Sequence, residues 1–176
     1  MKRFLIMSVL AVAAALSVNA QEEWKHEIGI SYGVGAFTDV NSSYLSGIFS
    51  GKQTSYIGPF GVEYFYRPKS RLGVGVLGTF STCKWNDNDK ARTKYLGIMP
   101  AVKYNWLNRT HFSMYSKLAL GVIIGIDTGA DKDKTKATFG WQASAAGIEF
   151  GKSFRGFLEL GFGEQGILLA GLRYKF

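Results

Sequence analysis

The sequence predicts an all-β fold, an eight-stranded antiparallel up-and-down transmembrane β-barrel. Three observations predict it: apolar residues alternate strictly along segments of about ten residues or more, the connections alternate between short and long, and aromatic side chains gather toward the two ends of the segments. Period-two alternation gives a strand two unlike faces. Short turns at one end and longer loops at the other are the asymmetry of barrels that span a membrane.

The first element is a leader. Lys2 and Arg3 precede an apolar run from Phe4 to Leu16, and Val18 and Ala20 flank a cleavage position ahead of Gln21, Glu22 and Glu23. This order is that of a secretory signal peptide, residues 1–20, and the run is too short to cross hydrocarbon as a helix. An uncleaved anchor is the weaker alternative. Lipidation needs a cysteine at the end of the run, whereas the single cysteine is Cys83, which also offers no internal disulfide and no metal-ligand spacing. Removing the leader takes two bases and no acid, so the formal charge falls from +8 to +6. That excess is scattered rather than striped, which argues against a nucleic-acid partner. Residues 21–176 are expected to form one domain, the barrel.

The strands follow in order. Ile28, Ile30, Tyr32, Val34 and Ala36 alternate with Gly29, Ser31, Gly33 and Gly35; Tyr56, Phe60, Val62, Tyr64 and Tyr66 keep the same parity, with Glu63 on the other face. Leu72, Val74, Val76 and Phe80 form the third run, and Leu96, Ile98, Val102, Tyr104 and Trp106 the fourth. Phe112, Met114, Leu118, Leu120, Val122, Ile124 and Ile126 form the fifth. In the sixth, from about Thr138 to Gly151, parity changes between Trp141 and Ile148, which predicts a bulge near Ala145 or Ala146. Leu158, Leu160 and Phe162, then Leu168, Ala170, Leu172, Tyr174 and Phe176, close the series.

Short turns are expected at Arg67 to Ser70, Asn108 to Thr110 and Lys152 to Phe154. Longer connections fall at Thr38 to Ser55, Cys83 to Thr93 and Asp127 to Lys136, with one tight outer turn at Gly163 to Gly166. A soluble carrier barrel of the lipocalin type would also alternate, but its exterior should be dense in long polar side chains. Here the face opposite the apolar one is mostly Gly, Ala and Ser, which suits a narrow, filled lumen. Tyr64, Tyr66, Tyr104, Trp106, Phe112, Phe150, Tyr174 and Phe176 are expected at the inner interface, and Phe37, Tyr56, Phe80, Trp141 and Phe162 at the outer one.

The terminal segment Leu172, Arg173, Tyr174, Lys175, Phe176 resembles the assembly signal of outer-membrane barrels, with Leu172, Tyr174 and Phe176 carrying the pattern. Together with the leader and the alternating segments, the chain resembles the small eight-stranded porin-family barrels typified by the membrane domain of outer membrane protein A. A globular periplasmic domain after the barrel is not expected. The resemblance implies residence in the outer membrane of a Gram-negative bacterium. It also implies contact with outer-membrane lipids and lipopolysaccharide, insertion by the barrel-assembly machinery, and a monomer without cofactors.

Inward parity singles out a charge cluster. Glu63, Lys103, Lys117, Glu149, Glu159 and Arg173 should lie a few residues above the inner rim and form one layer across the lumen, three acids facing three bases. Related barrels hold such networks inside, and a structural plug is favoured over a proton or substrate pathway. Two enzymatic or ligand motifs fail on position or spacing. His111 and Ser113 have the His-x-Ser spacing of an outer-membrane deacylase, but they follow an inner turn, away from outer-leaflet lipid A, and both should face the lumen. Asp87, Asn88 and Asp89 lack the spacing and glycine of a calcium loop. Asp87, Asp89, Lys90, Arg92, Asp131, Lys132, Asp133 and Lys134 are read as solvated loop charge. The expectation is therefore a non-enzymatic barrel with a plugged lumen, serving envelope integrity or surface interaction through its outer loops. A lipid A-modifying enzyme and a periplasmic carrier of apolar ligands are the alternatives.

Overall fold

The computed structural model describes residues 24–36, 55–69, 71–84, 92–128 and 134–176. The expected leader at 1–20, and Phe37 in the outer aromatic set, lie outside them.

Eight antiparallel strands pair in sequence order, and the first pairs with the last, closing the barrel. They are β1 (His26–Val34), β2 (Ser55–Lys69), β3 (Leu72–Lys84), β4 (Arg92–Asn108), β5 (Phe112–Thr128), β6 (Lys134–Gly151), β7 (Phe154–Gly163) and β8 (Leu168–Lys175). At the seam the His26 N–H donates to the Phe176 carbonyl and the Phe176 N–H to the His26 carbonyl, each at 2.9 Å. Closure leaves no edge strand, which is what a sheet facing lipid requires.

The parity runs as the sequence indicates. Ile30 is 58% exposed and Ile98 62%, while their odd-numbered neighbours point inward. Large apolar side chains thus cover the outside of all eight strands, from Ile28 and Val62 to Leu160 and Leu172. In β6 the register shifts between Ser144 and Ala146 against β7, and inward positions change from Gln142 and Ser144 to Gly147 and Glu149. The expected bulge therefore falls at Ala145, whose carbonyl accepts a 2.7 Å bond from the Ser116 hydroxyl.

Strand lengths depart from the expected ten or more at the seam, where β1 has 9 residues and β8 has 8, while β4, β5 and β6 have 17, 17 and 18. The long hairpins stay paired as far as Lys84↔Arg92 and Asp127↔Lys134, so segments read as loop, Cys83 and Arg92 among them, belong to strands. Thr135 to Phe139 are exposed at every residue, as a strand standing clear of the wall must be. The wall is lowest where β7 turns into β8. There Gly163 and Gly166 adopt φ of 133° and 105°, a region open to glycine and strained for other residues. That freedom lets the tight turn fold back, burying Gln165 inside the barrel.

The interior holds more bulk than a lining of Gly, Ala and Ser would supply. Phe65, Leu77, Met99, Ala101, Ala119 and Ile123 form an apolar cluster on the inner faces of β2 to β5, with Tyr95 packed against it. Glycine makes room for such side chains. A Cβ on Gly147 would collide with the Tyr115 ring, so the absence of a side chain on β6 is what admits that ring from β5.

Candidate functional site

The charged interior begins at the inner rim, the end that carries the β1 and β8 termini. Inward parity at β1 places Glu27 beside Lys175 of β8, and two residues further in, Gly29 lies between Glu63 and Arg173. Lys103 from β4 bridges Glu27 and Glu149, the latter at 2.7 Å. Lys175 meets Glu149 at 2.5 Å, and Arg67 meets Glu27 at 3.3 Å. Arg173 pairs with both Glu149 and Glu63, its Nε donating to Glu63 Oε1 at 2.9 Å. Lys117 then joins Glu63 at 3.0 Å to Glu159 at 2.7 Å. These side chains are all buried.

All six charges expected from parity, Glu63, Lys103, Lys117, Glu149, Glu159 and Arg173, are thus brought into one connected set. The set is not a single balanced layer. It is a chain of pairs two tiers deep, and with Glu27, Arg67, Arg155 and Lys175 added it holds four glutamates and six bases among the described residues. Parity would have found these four as well. Glu27 and Lys175 lie two residues from Gly29 and Arg173, and Arg67 and Arg155 lie two from Phe65 and Phe157. They were missed because they sit where the apolar alternation fades into turns and termini.

Neutral partners complete the network, as buried charge requires. Glu159 accepts from the Tyr115 hydroxyl and the Ser144 hydroxyl, each at 2.9 Å. The Arg173 guanidinium lies 4.3 Å from the Phe157 ring centroid, and the Lys103 ammonium 4.5 Å from that of Tyr115. Toward the outer end Lys117 donates to Gln165 Oε1 at 3.1 Å, Gln165 Nε2 donates to the Ser31 hydroxyl at 3.3 Å, and the Gln165 N–H donates to Gln142 Oε1 at 2.8 Å. A hydrogen-bonded column therefore links the inner rim to the β7–β8 turn.

Arg155 ties that column to the inner turns. Its Nη2 donates to the carbonyls of Arg109 and Thr110 at 3.0 and 2.8 Å, its Nε to the Lys152 carbonyl at 2.8 Å, and Trp24 lies 5.5 Å below it. Its Nη1 donates to the Ser113 hydroxyl at 2.6 Å, which in turn donates to Asn108 Oδ1 at 3.1 Å. Ser113 is thus engaged by Asn108 and Arg155 rather than by a histidine. His111 is exposed in the turn instead of facing the lumen, because β5 begins only at Phe112. Among the described residues no group of three or more His, Cys, Asp or Glu is placed to hold a metal ion.

Leu172, Tyr174 and Phe176 all point outward and are exposed. Phe176 stacks on His26 at 5.4 Å and on Tyr174 at 5.7 Å, and His26 Nδ1 bonds the Tyr64 hydroxyl at 2.8 Å. This aromatic group lies across the seam at the inner rim. Tyr66, Tyr104, Trp106 and Phe150 are exposed along the same end, and Phe80 and Phe162 toward the other.

No protein-family model matches the sequence, and no curated protein does. Among solved structures the chain is similar to Ail, the attachment invasion locus protein of Yersinia pestis, with a TM-score of 0.52 at 13% identity, covering 88% of this chain and 100% of that one. The same protein in complex with the heparin analogue sucrose octasulfate matches with a TM-score of 0.52 at 15% identity and the same coverage. The N-terminal β-barrel domain of Pseudomonas aeruginosa OprF gives a TM-score of 0.47 at 14% identity, over 89% of this chain and 100% of that domain. The fold is that of the small eight-stranded outer-membrane barrels.

Proposed function

We propose that the protein is a non-enzymatic barrel of a Gram-negative outer membrane, with a lumen closed to bulk solute and its work done at the envelope surface. The observation that carries this reading is the inversion of the usual globular pattern. Aliphatic and aromatic side chains cover the outside, while the described glutamates and their basic partners are buried within. In water such an exterior is a large apolar patch. In a bilayer it is the required surface, with aromatics at the two interfaces.

On this reading the mature chain starts at Gln21, and the end holding both strand termini and the short turns faces the periplasm. The partners are outer-membrane lipids, lipopolysaccharide and the barrel-assembly machinery, and the protein is a monomer. Its role is envelope integrity or surface interaction through connections 37–54, 85–91 and 129–133, whose residues include Asp87, Asp89, Lys90, Asp131, Lys132 and Asp133. A barrel of this fold bears the name attachment invasion locus protein in Yersinia pestis, and that is the kind of role intended here.

The test is fractionation followed by planar-bilayer recording. The protein should co-purify with outer membrane and carry no sustained ionic current, because an eight-stranded lumen is only wide enough for side chains. Recovery from the soluble periplasm would overturn the location, and stable channels of large conductance the closed lumen.

A further inference from the structure

Five acidic side chains are buried, Glu27, Glu63, Glu149 and Glu159 in the lumen and Glu164 beneath the β7–β8 turn. The basic ones divide. One set neutralises those glutamates, and another is exposed, with Lys25, Lys69, Arg71 and Lys152 ringing the inner end and Arg109 half-exposed among them. The three inner turns, residues 67–71, 108–111 and 152–153, contain five bases and no acid. The outer connections 37–54, 85–91 and 129–133 contain Asp39, Asp87, Asp89, Asp131 and Asp133 against Lys52, Lys90 and Lys132. The outer strand tips add Lys84, Arg92, Lys94, Lys134 and Lys136 along with Asp127, so the outer end mixes both signs, whereas the inner turns are basic without an acid.

We propose that this basic collar binds the anionic headgroups of phospholipids in the periplasmic leaflet. The inference rests on the membrane-spanning reading above and adds a ligand class to it. Depth is what selects lipid as the partner. Lys69 follows Tyr66 by three residues, Arg109 follows Trp106 by three, Lys152 stands between Phe150 and Phe154, and Lys25 adjoins His26. The aromatics mark the interface, and the headgroup zone beyond the hydrocarbon is roughly 5–8 Å thick. A tilted strand advances about 2.5 Å per residue along the membrane normal, and a lysine side chain spans a further distance of about 6 Å. The ammonium and guanidinium groups therefore lie among phosphates. Turns this short do not extend into the periplasm toward a more distant polymer. Besides the buried Glu27, the acids nearest this rim in sequence are Glu22 and Glu23, which precede Trp24, and five exposed or half-exposed bases still outnumber them.

The test uses the full mature barrel refolded into phosphatidylcholine vesicles containing a minor fraction of phosphatidylglycerol. Insertion is read first by vesicle flotation, and selectivity then by the immobilised fraction of spin-labelled phosphatidylglycerol against spin-labelled phosphatidylcholine. Both leaflets carry the same lipid, so two variants identify the rim: Lys69→Gln/Arg71→Gln/Lys152→Gln at the inner end and Lys94→Gln/Lys136→Gln at the outer. Each cation beside an anionic surface changes partition about fivefold, so the inner variant should lose at least about fivefold in selectivity. The outer variant should retain it, and added salt should weaken it in the wild type. Inserted wild type and inner variant with equal selectivity would overturn the collar and leave the membrane reading intact, as would a loss confined to the outer variant. Failure of the wild type to insert would overturn both. If isolated cell-wall sacculi bound the wild type but not the inner variant, with lipid selectivity unchanged, the collar would serve a cell-wall polymer and this proposal would fall.

Discussion

Lys117 offers the clearest measure of what the buried charges contribute. Its ammonium joins Glu63 and Glu159, but the two acids depend on it unequally, since Glu63 also pairs with Arg173 and Glu159 meets no other cation closely among the described residues. Lys117→Met keeps the length and bulk of the side chain and removes the charge. Glu159 is then left buried with two neutral donors, the Tyr115 and Ser144 hydroxyls. Stranding one member of a buried pair costs about 3–5 kcal/mol, and the two remaining hydrogen bonds place this case toward the lower end, about 3 kcal/mol. Glu159→Gln alone leaves Lys117 paired with Glu63, and should cost about 1–2 kcal/mol. In the double variant neither charge is stranded, so its loss should stay near 2 kcal/mol, below the sum of the singles. Urea unfolding of the protein in lipid vesicles, followed by tryptophan fluorescence, gives all four stabilities. A coupling of at least about 1 kcal/mol is expected. Additivity within about 0.5 kcal/mol would mean that the two charges do not interact, and the reasoning from pairing would be wrong.

Three further outcomes are expected. The folded barrel should run at a different mobility on a denaturing gel before and after boiling, because a closed sheet resists detergent; identical mobility would count against closure. Gly147→Val should lower stability by about 2 kcal/mol or more by displacing the Tyr115 ring and its bond to Glu159, whereas Gly156→Val, where an added Cβ meets nothing within 4 Å, should be nearly neutral; similar losses at both sites would refute the packing argument. Deleting Phe176, which stacks on His26 and donates across the seam, should reduce insertion measured by flotation more than deleting residues 131–134. Equal insertion would remove the role given to the terminal aromatic.

The barrel wall was legible because lipid enforces parity. Every outward residue from Ile28 to Val34 meets the same apolar solvent, so the period survives undiluted, and even the Ala145 bulge was marked by the change from Trp141 to Ile148. The lumen was legible only where a charge sat inside a clean alternation, as with Glu63 and Lys103. Glu27, Arg67, Arg155 and Lys175 lie at strand ends, where outward side chains pass from hydrocarbon to headgroups and the contrast between faces weakens. Phe65, Leu77 and Met99 escaped for another reason. An apolar residue on the inner face looks like noise in a period-two pattern, and only the closed geometry gathers those from β2, β3 and β4 into one cluster. The inward turn of Gln165 was not encoded in periodicity at all. It depends on the low wall at β7–β8 and the backbone freedom of Gly163 and Gly166.

These inward charges also bear on how one register is chosen. Each strand except β3 carries at least one: Glu27, Glu63 with Arg67, Lys103, Lys117, Glu149, Arg155 with Glu159, and Arg173 with Lys175. A slip of one residue turns every side chain of a strand to the opposite face. In β8 it would put Arg173 and Lys175 against lipid, and a basic residue on that face costs from near zero at the interface to about 2–4 kcal/mol at the bilayer midplane. The same slip would bring Leu172 and Tyr174 into a lumen already filled by Phe157, Tyr115 and their ionic neighbours. Pairing inside the correct barrel can therefore be close to neutral in net stability, as buried ion pairs often are, while the charges still select the register. The wrong register is penalised on both faces. Among its described side chains β3 carries no inward charge, and there the choice must fall to Leu77, whose side chain packs with Phe65 and Met99 only when it points inward.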